Sequence, residues 1–279
     1  MTLAVINSGI SNEVKRVFIM NGNNLVECKA VWAKTNNTPY QVFQPTIDIE
    51  INTTVYDVNL QDVVKGILGY TPTYPINVNV IIGSNGVVGQ STTVTGTGFS
   101  RLQVKNSIAA MQTGTFTAGS TITITNNGYI VGCGGQGGDG NDGVTEGIGT
   151  RWAGGDALYA TFACTVYNNG TIAGGGGGGK GGDGGGGNST AGGGGAGSMG
   201  GVGGWGWGSG PDRFGGTGTL TTGGLGTHDT GDEGGNLGQK GGINYGHDGW
   251  DTSGHQGAYV VGNSYVTWAT TGTRLGDAL

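Results

Sequence analysis

The chain has 279 residues, of which 67 are glycine, only 11% are charged, and the formal net charge is −6. No basic surplus exists to neutralise phosphates, which excludes nucleic acid as a partner. Disorder is disfavoured too, because charge is low and there are only 5 prolines. No apolar run reaches the ~20 residues that span a bilayer. Residues 1–16 lack the charged and apolar regions of a signal peptide. The chain is therefore expected to be made in a cytoplasm and to stay soluble.

Residues 1–56 read as short strands at Ala4–Ile6, Val14–Ile19, Leu25–Trp32 and Ile47–Val55, with Asn21-Gly22 as a hairpin turn. Trp32, among Ala30, Val31 and Ala33, is a core or a docking residue. Residues 59–68 form the one helical segment. Val63, Val64, Ile67 and Leu68 share a face, Asn59 can cap the start, and Gly69 can end it. Val- and Thr-rich strands follow at Asn77–Ile82, Val87–Val88, Ser91–Thr95 and Leu102–Lys105, separated by glycine-containing turns.

From residue 121 a repeat emerges. Ile124 to Val131 reads I-T-N-N-G-Y-I-V, and 42 residues later Val166 to Ala173 reads V-Y-N-N-G-T-I-A; each leads into a glycine run. Ser84 to Gly89 is a fainter copy. A strand, an Asn-Gly turn, two or three larger residues and then glycine, repeated, points to stacked structural units.

Glycine itself is uneven, with 11 in residues 1–127 and 56 in residues 128–279. A glycine tract is ordinarily a flexible linker. This one carries Trp152, Trp205, Trp207, Phe214, Tyr245, Trp250 and Trp268, which a solvated linker does not need. The alternative is a bundle of extended helices of the polyproline II type, three residues per turn. Without Cβ atoms such helices approach closely enough for N–H groups to reach carbonyls on their neighbours, supplemented by Cα–H···O contacts. Collagen is excluded by the lack of a strict G-X-Y period. If the glycine runs are rods, the inserts Asn141–Ala153, Trp205–Phe214, Thr227–Glu233 and Ile243–His255 are the turns. They hold His228, His247 and His255 and much of the acid, and loops on a rigid frame are where binding is placed.

Motifs for other chemistry fail on context. G-x-G-x-x-G at Gly132–Gly137 has no helix behind it to receive a pyrophosphate. G-G-x-G-x-D at Gly134–Asp139 and Gly178–Asp183 begins a calcium-binding nonapeptide, but Asn141 and Gly185 stand where an apolar residue belongs. A capping aspartate at a rod end is the simpler role. Neither a selected carboxylate pair nor a nucleophile motif supports catalysis. Cys28, Cys133 and Cys164 have no metal-ligand spacing and read as small buried apolar residues. The expectation is no enzyme, no cofactor and no metal.

The pattern resembles the distal tail-fibre adhesins of T-even-type bacteriophages. The likeness rests on Met1–Ile6, on Ile81-Ile82-Gly83-Ser84-Asn85-Gly86-Val87-Val88-Gly89, on Leu68-Gly69-Tyr70-Thr71-Pro72, and above all on glycine motifs alternating with aromatic and polar segments across residues 128–262. It implies a mostly β and irregular chain in three parts. Residues 1–120 would be a small β-rich fibre-attachment domain, residues 121–262 a polyglycine II helix sandwich with variable distal loops, and residues 263–279 a C-terminal strand or tail. The partners it implies are the distal subunit of the trimeric long tail fibre and a porin-like outer-membrane protein of the host, with lipopolysaccharide as a second candidate. The site is the virion, at the fibre tip. Receptor contacts are then expected from Trp152, Trp205, Trp207, Phe214, His228, Asp229, Asp232, Tyr245, His247, Trp250 and His255, and fibre attachment from Trp32. A polysaccharide-binding or depolymerising tail protein and a structural, ice-binding-like glycine protein are the alternatives.

Overall fold

The computed structural model describes residues 17–21, 24–28, 31–35, 38–96, 101–140, 153–182, 190–206, 214–227, 231–242 and 253–279, with backbone alone before residue 44. Two antiparallel hairpins come first: β1 (Val17–Asn21) with β2 (Asn24–Cys28), then β3 (Val31–Thr35) with β4 (Thr38–Phe43). Asn21 is the last residue of β1 and pairs with Asn24, so the strands are joined by positions 22 and 23, one residue later than the expected Asn21-Gly22 turn. The strand expected over Leu25–Trp32 is divided between β2 and β3.

From residue 46 the chain winds through five coils, each giving one strand to each of three parallel sheets. The first coil is β5 (Thr46–Ile51), β6 (Thr54–Tyr56) and β7 (Val58–Asn59), followed by α1 (Leu60–Leu68). The second is β8 (Asn77–Ile82), β9 (Val87–Gly89), the inserted hairpin β10 (Thr92–Thr95) with β11 (Leu102–Lys105), and β12 (Ala109–Gln112). The third is β13 (Thr121–Asn126), β14 (Tyr129–Val131) and β15 (Asp156–Tyr159). The fourth is β16 (Cys164–Asn168), β17 (Thr171–Ala173) and β18 (Ala258–Val261). The fifth is β19 (Val266–Thr270), β20 (Thr273–Leu275) and β21 (Asp277–Ala278). The sheets run β5-β8-β13-β16-β19, β6-β9-β14-β17-β20 and β7-β12-β15-β18-β21. The result is a three-sided parallel β-solenoid. Ile47–Val55, expected as one strand, turns a corner at Asn52 into β5 and β6.

The solenoid interior is made of aliphatic files, because residues in register stack from coil to coil. Ile49, Val80, Ile124, Val166 and Trp268 form one file in the first sheet. Val55, Val88, Ile130, Ile172 and Arg274 form another in the second. Val58, Met111, Leu158, Val260 and Ala278 form the third. In the last coil the aliphatic pattern gives way, and the Arg274 guanidinium lies over Trp268 at 4.8 Å and Tyr259 at 5.4 Å. The Trp268 Nε1–H donates to Asn263 Oδ1 at 2.9 Å, so the aromatic lid is satisfied at its polar edge.

Helix α1 begins and ends as its sequence dictates. The Asn59 side chain accepts from the Gln61 and Asp62 N–H groups, and Gly69 closes the helix at φ 74°. Leu60 and Val64 are buried against the solenoid core, with Val63 and Leu68 at its margin. Ile67, expected on the same face, is 56% exposed. The buried face is centred one turn earlier, on Leu60.

Apart from α1 and the residues up to β8, which lie between the third sheet and the first, the long insertions leave the solenoid at one corner, between the second and third sheets. In the first and fifth coils that corner is a single left-handed residue, Asp57 at φ 55° and Gly276 at φ 104°. In the second coil it holds residues 90–108, in the third 132–155, and in the fourth 174–257. Strands on both sides of residue 120 pair directly, β13 with β8, and residues 263–279 complete the fifth coil. The solenoid therefore draws on all three of the segments implied by the resemblance, 1–120, 121–262 and 263–279.

Candidate binding face on the glycine bundle

Ten glycine-rich rods are present among the described residues: 132–140, 153–155, 174–182, 190–197, 199–206, 214–219, 222–227, 231–236, 239–242 and 253–257. Their hydrogen bonds recur every third residue. Gly134, Gly137 and Gly140 N–H groups donate to the carbonyls of Met199, Val202 and Trp205 at 2.9, 2.8 and 2.8 Å. Gly176 and Gly179 donate to Ala196 and Gly193, both at 2.8 Å. A period of three is that of the polyproline II helix.

The pairing makes a sandwich of three layers. The first holds 199–206, 132–140 and 153–155; the second 214–219, 190–197, 174–182 and 253–257; the third 222–227, 231–236 and 239–242. Rods 174–182 and 190–197 are central, each bonded to six others. There, at the glycines that face neighbouring rods, a side chain has no place. A Cβ on Gly194 would stand 1.8 Å from the Gly201 carbonyl oxygen, and one on Gly176 2.0 Å from that of Gly235. Larger residues fall on outward positions, again every third: Met199, Val202 and Trp205 on one rod, Glu233 and Asn236 on another.

The rods alternate in direction and are pinned to the solenoid at one end. The turns after Ala196, Thr219 and Asn236 return to the corner, where Leu220 and Leu237 pack with Val131, Ala173 and Ala196. The Ser198 Oγ accepts from the Gln90 N–H and donates to its carbonyl, both at 2.9 Å. Gly140, Gly182, Thr190, Trp205, Phe214, Thr227 and Gly231 lie toward the opposite end, linked by Gly140 to Trp205 at 2.8 Å, the Gly182–Thr190 and Trp205–Phe214 bridges and Gly231 to Thr227 at 3.2 Å. The segments that connect these ends lie outside the described residues.

The expected site residues divide accordingly. Trp205 is half-buried and Phe214 is 53% exposed; they are neighbours at the far end. Asp232 is buried in the third layer, where its N–H donates to the Lys180 carbonyl at 3.0 Å and its carbonyl accepts from Gly193 at 2.8 Å. His255 is exposed but sits on the solenoid side, its carbonyl accepting from Gly154 at 2.8 Å. Trp152, Trp207, His228, Asp229, Tyr245, His247 and Trp250 lie outside the described residues. Trp32 is in β3, opposite Gln41. Several inserts are shorter than composition suggests: Trp205 and Thr227 at their starts, and Phe214 and Gly231 to Glu233 at their ends, belong to rods. Residues 183–189 lie between two central rods in the chain and, being rich in glycine themselves, have no composition that marks an insert.

Polar side chains seal the first layer. Asp139 Oδ1 accepts the Trp205 N–H at 2.7 Å, which is the work of a rod cap. Hairpin β10–β11 lies along the rods, and Lys105 Nζ donates to the Gly154 carbonyl at 2.7 Å. The Cys133 thiol donates to Gln90 Oε1 at 3.2 Å, and burial pushes it up to about 11. Cys164 is likewise buried and raised to about 12, and both thiols are free. The side chain of Cys28 is outside the described residues. No cluster of metal-ligating side chains, and no helix long and apolar enough to cross a membrane, occurs among the described residues.

No curated protein sequence is detectably similar to the chain. The fold is similar to that seen in the crystal structure of the gp37–gp38 adhesin tip complex of the bacteriophage S16 long tail fibre. The TM-score is 0.54 at 23% identity, over 84% of this chain and 83% of the matched one. The sequence model of the family described as phage tail fibre adhesin Gp38 matches residues 46–279, the whole solenoid and every rod. The chain belongs to the phage tail fibre adhesin Gp38 family.

Proposed function

We propose that this adhesin caps a trimeric long tail fibre and binds an outer-membrane protein of the bacterial host, without catalysis, and so sets host range. The observation that carries the reading is the polarity of the bundle. One end of the rods is fixed to the solenoid, and the other gathers Trp205, Phe214 and the starts of the aromatic segments. A frame bonded through its own backbone holds such side chains at low ordering cost, which favours recognition of a receptor loop. Trp205, Phe214, Trp207, Trp152, His228, Asp229, Tyr245, His247 and Trp250 form the proposed contact set; buried Asp232 and the solenoid-side His255 are left out of it.

Attachment is assigned to the other end of the chain. A single copy that caps a trimer must imitate threefold symmetry with unlike residues. Three sheets around one axis supply three edges, which in the first coil are β5, β6 and β7. Hairpins β1–β4, with Trp32, precede the first coil and are the proposed docking elements; the fold match to a chain of a gp37–gp38 tip complex supports this.

Phage carrying Trp205→Ala or Trp250→Ala should lose adsorption to host cells while the adhesin stays on the fibre. Adsorption equal to wild type in both variants overturns the assignment of the receptor face. A panel of hosts lacking single outer-membrane proteins then names the receptor.

A further inference from the structure

Hairpin β10–β11 grows from the same corner of the solenoid as the rods and is stitched to them. The Gln103 N–H donates to Gln136 Oε1 at 2.9 Å, and Gln136 Nε2 donates to the Arg101 carbonyl at 2.8 Å. Gln103 Nε2 donates to the Gly134 carbonyl at 3.0 Å, while the Val202 N–H donates to Gln103 Oε1 at 2.9 Å. Arg101 is therefore held in place by its backbone, independently of its side chain.

That side chain reaches across the end of the first layer. Its Cζ lies 5.9 Å from the centroid of the exposed Phe214 ring, beside Trp205. Its Nε is buried with no acceptor, and Arg101 has no ion pair among the described residues. Residues 128–279 carry 12 acidic and only 5 basic side chains, yet none of the described carboxylates pairs with this cation. A guanidinium over an aromatic face is favoured as a cation there, and its planar fork is the group that binds a carboxylate through two parallel hydrogen bonds.

We infer that Arg101, lying over Phe214 beside Trp205, anchors a carboxylate on the protein surface of the host receptor. The inference rests on the adhesin reading above and adds to it a residue from outside the aromatic inserts. A polyphosphate surface would call for several cations, whereas the described cluster offers one cation flanked by aromatic surface in an acidic half of the chain. An acidic side chain within an apolar receptor loop matches that combination.

The test uses the full chain and outer-membrane vesicles from a strain that the wild-type chain binds. Arg101→Gln and Arg101→Lys should each weaken binding about tenfold or more, with thermal unfolding unchanged because the seam uses only the Arg101 carbonyl. On vesicles whose carboxylates are converted to amides by carbodiimide and glycinamide, the difference between wild type and Arg101→Gln should vanish. On vesicles from a mutant lacking core phosphates it should persist. Arg101→Gln binding as wild type, or a difference that survives amidation or disappears with the phosphates, overturns the inference and leaves the adhesin reading standing. Wild-type chain that binds no vesicles from any host panel overturns both.

Discussion

Asn126 and Asn168 stand 42 residues apart in sequence and hydrogen-bond directly, Nδ2 of the first donating to Oδ1 of the second at 2.8 Å across adjacent coils. The 42-residue spacing of the repeat is thus the spacing of two coils. Asn126 also donates to the Thr171 carbonyl and accepts from the Gly128 N–H, while Asn168 donates to the carbonyls of Thr271 and Thr273. The ladder supplies the corner with polar partners that the parallel strands leave unused.

Asn126→Ala should therefore destabilise the solenoid by about 2–4 kcal/mol, since it strands several buried groups at ~1–3 kcal/mol each. Denaturant unfolding measures this. A loss below ~1 kcal/mol would mean that the corner is held by its backbone alone.

Two glycine substitutions separate close packing from flexibility. Gly194→Ala puts a Cβ 1.8 Å from the Gly201 carbonyl oxygen, backbone against backbone, and should cost more than ~3 kcal/mol or abolish folding. Gly66→Ala, inside α1 with nothing within 4 Å, should stabilise by about 0.5–1 kcal/mol. Paired thermal melts decide the matter; an unaffected Gly194→Ala would refute the packing account.

The fifth coil closes on a cation. Arg274→Ala removes the guanidinium over Trp268 and Tyr259 and should cost about 1–2 kcal/mol, with increased fluorescence quenching of Trp268 by acrylamide. Arg274→Lys should recover little, because an ammonium does not stack on two rings.

The buried thiols predict a limit at high pH. Burial raises Cys133 from an ordinary value of 9.0 to about 11, and Cys164 from 9.0 to about 12. The folded chain then holds protons that the unfolded chain releases, so this contribution is intact below pH ~9 and declines as pH rises through 11 to 12. Neither thiol should react with iodoacetamide at pH 8 until the protein is unfolded. Alkylation of native Cys133 at a rate comparable to a free thiol would contradict its burial.

Much of this molecule is written locally. Helix α1 follows from Asn59 and Gly69, the first hairpin from the Asn21-Gly22 signal although its register falls one residue later, and strands β8, β9 and β11 from short apolar runs, because caps, turns and alternation act over a few residues. Glycine content alone made rods the alternative to a linker, since only residues without Cβ allow such approach. The path between those elements was not legible. That 129–131 and 156–159 belong to one coil, although a rod pair lies between them, depends on pairing across long separations. So does the placement of Arg101 on Phe214, 113 positions away in number, and the presence of Arg274 in an aliphatic file. The sequence by itself determined α1, strands such as β8 and β9, and the glycine tracts as rods, while β12, β15 and β18 carried no local mark that set them apart. Which of them touch, and therefore where the binding face lies, was decided by register and hydrogen-bond closure in three dimensions, for which no local signal exists.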